Sequence, residues 1–148
     1  MSLQDQLTEA MKVAMKAKDS LRLNAIRLMR TAIKNKEIDT RTTLSDEDVI
    51  GVLSTLVKQR KESAEVYRAN QRGDLADKEE AELAVIQDFL PAQMSEDEIK
   101  AAIEAAVQET GAASPKDMGK VMKIVSAQTR GRADGRMVSE LVKARLAG

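Results

Sequence analysis

The sequence predicts an all-α, multihelical chain of seven helices in two lobes. Apolar residues recur at three- and four-residue spacing along almost the whole chain, and no stretch alternates apolar and polar residues as a half-buried strand does. The only two prolines, Pro91 and Pro115, sit at segment edges. Most segments open on a Ser or Asp placed as an N-cap. At 148 residues the length suits one domain or two small ones.

The first helix is expected over about Leu3–Ala17, with Ser2 and Asp5 as a cap pair and Leu3, Leu7, Ala10, Met11 and Ala14 as its stripe. The second runs from Ser20 to about Lys36 behind Asp19, with Leu21, Ala25, Ile26, Leu28, Met29, Ala32 and Ile33 inward. Asp39 to Thr43 reads as a polar loop, and Ser45 to Asp48 as a capping box. The third helix then reaches about Asn70 and is ended by Gly73. Asp74 caps the fourth, whose inward residues are Leu75, Leu83, Ile86 and Leu90, before Pro91. Gln93 and Met94 mark the boundary, giving lobes 1–93 and 94–148. Ser95 to Glu98 is a second capping box, opening a fifth helix that stops at Gly111. Ser114-Pro115 starts the sixth, with proline at the first helical position. A turn from Gly131 to Gly135, capped by Asp134, leads to the seventh.

Composition excludes much of enzymology. The chain has no His, Cys or Trp, one Tyr and one Phe. A disulfide, a zinc–thiolate site, a thiol nucleophile and an imidazole base are therefore absent. Single-stranded nucleic acid has almost no aromatic platform to stack on. No Gly-rich phosphate loop occurs. No catalytic residue, metal site or cofactor is expected. The apolar runs are too short to span a membrane. No secretory signal opens the chain, so the default location is cytoplasmic.

Lys+Arg and Asp+Glu are equal at 24 each, but the charges are segregated. Residues 12–36 carry eight basic residues against Asp19, a net +7. Residues 74–98 carry nine acids against Lys78, a net −8. Residues 114–148 carry eight basic residues against three acids, a net +5. One reading is structural: the second helix packs beside the fourth, and the charges are solvated faces. The other is a phosphate-binding surface, because Lys and Arg clusters displace counterions from a polyanion. The C-terminal zone is the stronger candidate. Lys116, Lys120 and Lys123 share a helix face, and Arg130, Arg132 and Arg136 surround a glycine-containing turn. Glycine admits close approach to a phosphate, and the N-terminus of the seventh helix offers N–H groups.

Arg60 falls on the apolar arc of the third helix, among Leu53, Leu56, Val57 and Ala64. A cation there requires a carboxylate, and Glu79, Glu80 and Glu82 of the next helix supply one, Glu79 foremost. The alternative is a polar active-site cluster of Arg60, Ser63, Tyr67 and Glu79. Glu79 and Glu82 also have a spacing that a hard cation could use.

Several short motifs stand in a telling order: Lys58-Gln59-Arg60-Lys61-Glu62-Ser63, Gly73-Asp74-Leu75, Glu79 and Glu82, and Phe89-Leu90-Pro91. Lys116 to Met122 and Gly131-Arg132-Ala133-Asp134-Gly135 follow. Together they make the chain resemble the YqeY family over essentially its whole length. That resemblance implies an N-terminal bundle of about four helices and a three-helix C-terminal lobe. It also implies kinship with the C-terminal region of the B subunit of the glutamine-dependent aspartyl/glutamyl-tRNA amidotransferase, a region that holds tRNA. The family is often labelled as carbon–nitrogen ligases with glutamine as amido donor. The expectation is a non-catalytic module that binds tRNA or another structured RNA. Alternatives are an enzyme or accessory subunit for amide transfer, and a protein–protein adaptor in aminoacyl-tRNA metabolism that uses the second helix.

Overall fold

A computed structural model describes residues 1–148. The fold is all-α, with helices α1 (Leu3–Lys16), α2 (Ser20–Thr40), α3 (Asp46–Ala69), α4 (Gly73–Gln87), α5 (Glu96–Thr110), α6 (Met118–Thr129) and α7 (Gly135–Ala147). A single 3₁₀ turn, Pro115–Asp117, precedes α6, so the proline opens a separate turn instead of the helix itself. The helices pack as two compact units, Met1–Pro91 and Ala92–Gly148, each around its own core.

The N-terminal unit is two helical hairpins. Its core joins Leu7, Ile26, Met29, Ile33, Val49, Leu53 and Ile86. Two ties fix the hairpins to each other. The backbone N–H of Leu3 donates to Asp46 Oδ1 at 3.0 Å, joining the starts of α1 and α3. Glu37 Oε2 accepts from Gln4 Nε2 at 3.2 Å and from the backbone N–H of Leu44 at 2.9 Å. This use of Glu37 fits the length of α2, which runs to Thr40 and takes in Asp39 and Thr40 of the expected loop. Two residues assigned to its inner arc, Leu21 and Leu28, are 42% and 46% exposed, because the buried arc is narrower and centres on Ala25, Ile26, Met29 and Ile33.

The end of α3 departs from expectation in a physical way. Gly73 does not end it; it is the first residue of α4. The left-handed turn falls on Gln71, at φ 58°. Around it, Arg72 N–H donates to Tyr67 O at 2.7 Å and Gln71 N–H to Arg68 O at 3.1 Å, the paired bonds of a Schellman cap. A side chain in that backbone region carries a steric cost that glycine lacks. Gln71→Gly should therefore raise stability by roughly 0.5–1 kcal/mol, read as a higher urea midpoint at unchanged slope. The start of α4 also lacks the expected cap. Its N-cap residue is Arg72, and the Asp74 carboxylate is held by the Arg72 guanidinium.

The C-terminal unit packs α5, α6 and α7 around Ile99, Ile103, Ala106, Val107, Val121, Val125, Val138, Val142 and Leu146. Ser95 and Glu98 form a reciprocal capping box at the start of α5, and Gly111 ends that helix at φ 68°. The segment leading into α5 is stitched to the turn between α6 and α7. Met94 N–H donates to Arg132 O at 2.8 Å, Gln93 Nε2 to Gly131 O at 3.1 Å, and Arg132 Nε to Ala92 O at 3.0 Å. Gln93 is thereby part of the C-terminal unit.

Candidate nucleic-acid interface

Lys116 lies in the 3₁₀ turn, Lys120 and Lys123 on α6, Arg130 at the end of α6, Arg132 in the following turn and Arg136 in the first turn of α7. Five of the six are exposed, and Arg132 is half-buried. On α6 the buried residues are Val121, Val125 and Thr129. Lys120 and Lys123 point away from them, since residues three apart lie only about 60° apart around a helix.

The nearby acids serve the fold. Asp117 accepts from the backbone N–H groups of Ala113, at 3.0 Å, and Ser114, at 3.3 Å. Those bonds hold its carboxyl below the usual carboxylate range. Asp134 caps α7 by accepting from Arg136 N–H at 2.9 Å. Glu104 takes both arms of the Arg145 guanidinium, at 2.6 and 3.0 Å, and also Gln108 Nε2 at 3.2 Å. Lys116, Lys120, Lys123 and Arg136 form no salt bridge; neither does Glu140, four residues beyond Arg136.

Two parts of the expected site are reassigned. At the N-terminus of α7 the Asp134 carboxylate accepts the Arg136 N–H, so an acid stands beside the expected phosphate position. In the glycine turn, Arg132 N–H donates to Thr129 O at 2.8 Å and Ala133 N–H to Thr129 O at 3.1 Å. Gly131, at φ 75°, therefore serves the turn, and Arg132 ties that turn to Ala92.

The Glu104–Arg145 clasp has a pH signature. The Arg145 hydrogen bonds, helped by Gln108, lower the Glu104 carboxyl from 4.5 to about 2. A depressed acid stabilises the folded state fully above its unfolded pKa, and loses that contribution as pH falls through its folded pKa. Between pH 4.5 and about 2 the C-terminal unit should thus lose stability. In Glu104→Gln this part of the acid limb should flatten, as measured by urea midpoints across that range.

In the N-terminal unit, Arg60 is brought to Glu82 and not to Glu79. Arg60 Nε lies 3.3 Å from Glu82 Oε2, with the two side chains only 13% and 12% exposed. The contact is an ion pair without an aligned hydrogen bond. Ser63, Tyr67 and Glu79 are half-buried, and no hydrogen bond or salt bridge joins them to it as a catalytic cluster. No group of three or more acids is placed to hold a metal ion. The acidic zone is met mainly from within its own hairpin. Arg68 Nη2 reaches Asp77 at 3.0 Å and Glu80 at 2.8 Å, and Arg72 pairs with Asp74. The salt bridge from α2 is Arg22 to Asp88 at 2.9 Å, with Arg22 also over the Phe89 ring.

The profile of the YqeY family, described as Yqey-like protein, matches residues 4–146. The chain belongs to the YqeY family. Its relatives include "Altered inheritance of mitochondria protein 41, mitochondrial" of Lachancea thermotolerans, 37% identical over 140 residues, which covers 89% of this chain and 74% of that protein. The protein of the same name in Vanderwaltozyma polyspora is 49% identical over 85 residues, 57% of this chain and 46% of that protein. In Saccharomyces cerevisiae the match is 42% over 81 residues, covering 54% of this chain and 44% of that protein. The matches thus span from under half to three-quarters of these curated YqeY relatives. The names correct one expectation: all three relatives are named as mitochondrial, so the cytoplasmic default does not stand.

Proposed function

We propose that this YqeY-family chain is a non-catalytic module whose C-terminal unit binds the phosphate backbone of a structured RNA, tRNA foremost. A role linked to tRNA-dependent amidotransfer is part of the same proposal. The observation that carries it is the charge of residues 114–148, eight basic residues against three acids. Asp117, Asp134 and Glu104 are engaged by backbone N–H groups and by Arg145, while Lys116, Lys120, Lys123 and Arg136 are exposed and form no salt bridge, Lys120 acting on Asp117 only through its charge. Four exposed cations cost little in the folded state and gain when they release counterions from a polyanion. With a single Tyr and a single Phe in the chain, duplex backbone and RNA shape are favoured over stacking on unpaired bases.

The test is a tRNA titration with the full chain. Replacing Lys116, Lys120, Lys123 and Arg136 by alanine should weaken binding by at least about tenfold with circular dichroism unchanged. Replacing the three lysines by arginine should preserve it. Equal binding by wild type and the alanine variant assigns the RNA contact elsewhere or removes it.

A further inference from the structure

A groove of about 540 Å³ runs along the seam of α1 and α2 in the N-terminal unit. Its α1 wall is Gln4, Thr8 and Met11, its deep side is Leu7 and Ile33, and its α2 wall carries Arg27, Arg30 and Lys34. These cations stand at i, i+3 and i+7, along about 10 Å of helix. None of them has a carboxylate partner; Arg30 Nη1 rests on the Met11 sulfur at 2.9 Å, a weak acceptor. The only acid in the lining, Glu37, is already engaged by Gln4 and the Leu44 backbone. Met15 lies one turn beyond Met11 on the same side of α1 and is 51% exposed, so the apolar wall continues past the groove.

We infer that this groove is a docking site for an acidic amphipathic helix of a partner protein. The charge is complementary: a row of cations faces open solvent on one wall, with no free acid opposite. The spacing also fits, because carboxylates at i, i+3 and i+7 of a docked helix rise at the same pitch as Arg27, Arg30 and Lys34. The apolar side decides between a helix and a nucleic acid. The accessible apolar surface is Met11 and the 51% exposed Met15, whose flexible thioethers can take Leu or Phe anchors, whereas phosphates leave that surface wet. The site shares no residue with the cations of the C-terminal unit, so the two proposals stand or fall separately.

The experiment uses the full chain and a fluorescein-labelled designed peptide of about 15 residues, long enough for a marginal helix. The peptide carries Leu at one helical face and Glu at i, i+3 and i+7 beside it. A scrambled peptide of the same composition is the control. Anisotropy titrations should show the patterned peptide binding at least about tenfold more tightly than the scrambled one. Arg30→Glu with Lys34→Glu should abolish that preference. Thr31→Trp, which fills the groove without changing charge, should do the same; Thr31 is exposed, so the variant keeps its fold. Lys120→Glu with Arg136→Glu should leave peptide binding intact. Equal affinity for both peptides, or retention of the preference in Thr31→Trp, overturns the inference. Loss of tRNA binding in Arg30→Glu with Lys34→Glu, with no peptide preference in the wild type, reassigns the groove to nucleic acid and also overturns it.

Discussion

Replacing Arg60 by alanine is expected to destabilise the N-terminal unit by about 3 kcal/mol, the low end of the cost of breaking a buried ion pair. The Glu82 side chain, 12% exposed beside Arg60, then loses its cation. Glu82→Ala should cost a similar amount, because it strands the guanidinium instead. Apolar replacement of both together, Arg60→Met with Glu82→Leu, should return most of the loss, since the pair lacks an aligned hydrogen bond and repays its desolvation poorly. Urea unfolding of the three variants checks this. A double variant as unstable as the singles contradicts it, as does a single variant within about 0.5 kcal/mol of wild type, the range of an ordinary surface substitution.

The second large effect belongs to the C-terminal unit. Its core is mainly valine, with Ile99, Ile103 and Leu146 as the larger residues. Ile103 is 2% exposed, and Ile103→Ala should cost about 2–5 kcal/mol through lost burial and an unfilled cavity. A core in a unit this small rarely supplies more than about 3–5 kcal/mol. The variant should therefore lose the native fold of Ala92–Gly148. Amide NMR should show the α5–α7 resonances collapsing while those of α1–α4 keep their dispersion, because each unit has a separate core. Uniform loss across the whole chain contradicts that separation, and so does native dispersion throughout.

What the sequence disclosed follows from the range of the interactions involved. Caps are local, so the starts of α1, α3 and α5 at Ser2, Ser45 and Ser95 could be read directly. The cap at Gln71 was hidden because a left-handed helix end is recognised by glycine, and the nearby Gly73 drew the assignment. Arg60 was legible as a buried cation because its helix face is fixed by the period of α3. Its partner was not, because Glu79 and Glu82 lie one turn apart and only the axial register of α3 on α4 selects Glu82.

The basic residues of the C-terminal unit were visible as charge, and most of them are exposed as a binding surface requires. The role of Arg132 was not visible, since its bond to Ala92 O bridges residues 40 apart in sequence. The α1–α2 groove belongs to neither helix alone. Its only trace in the sequence is the spacing of Arg27, Arg30 and Lys34, inside a segment whose excess charge gave no direction.

The most direct test of RNA backbone binding is the slope of log Kd for tRNA against log salt concentration, measured for wild type and for the variant with Lys116, Lys120, Lys123 and Arg136 replaced by alanine. Each phosphate-contacting cation contributes about one unit of slope, so the variant should be shallower by about three to four units. An identical slope in the two proteins, or no wild-type binding at low salt, would contradict the account.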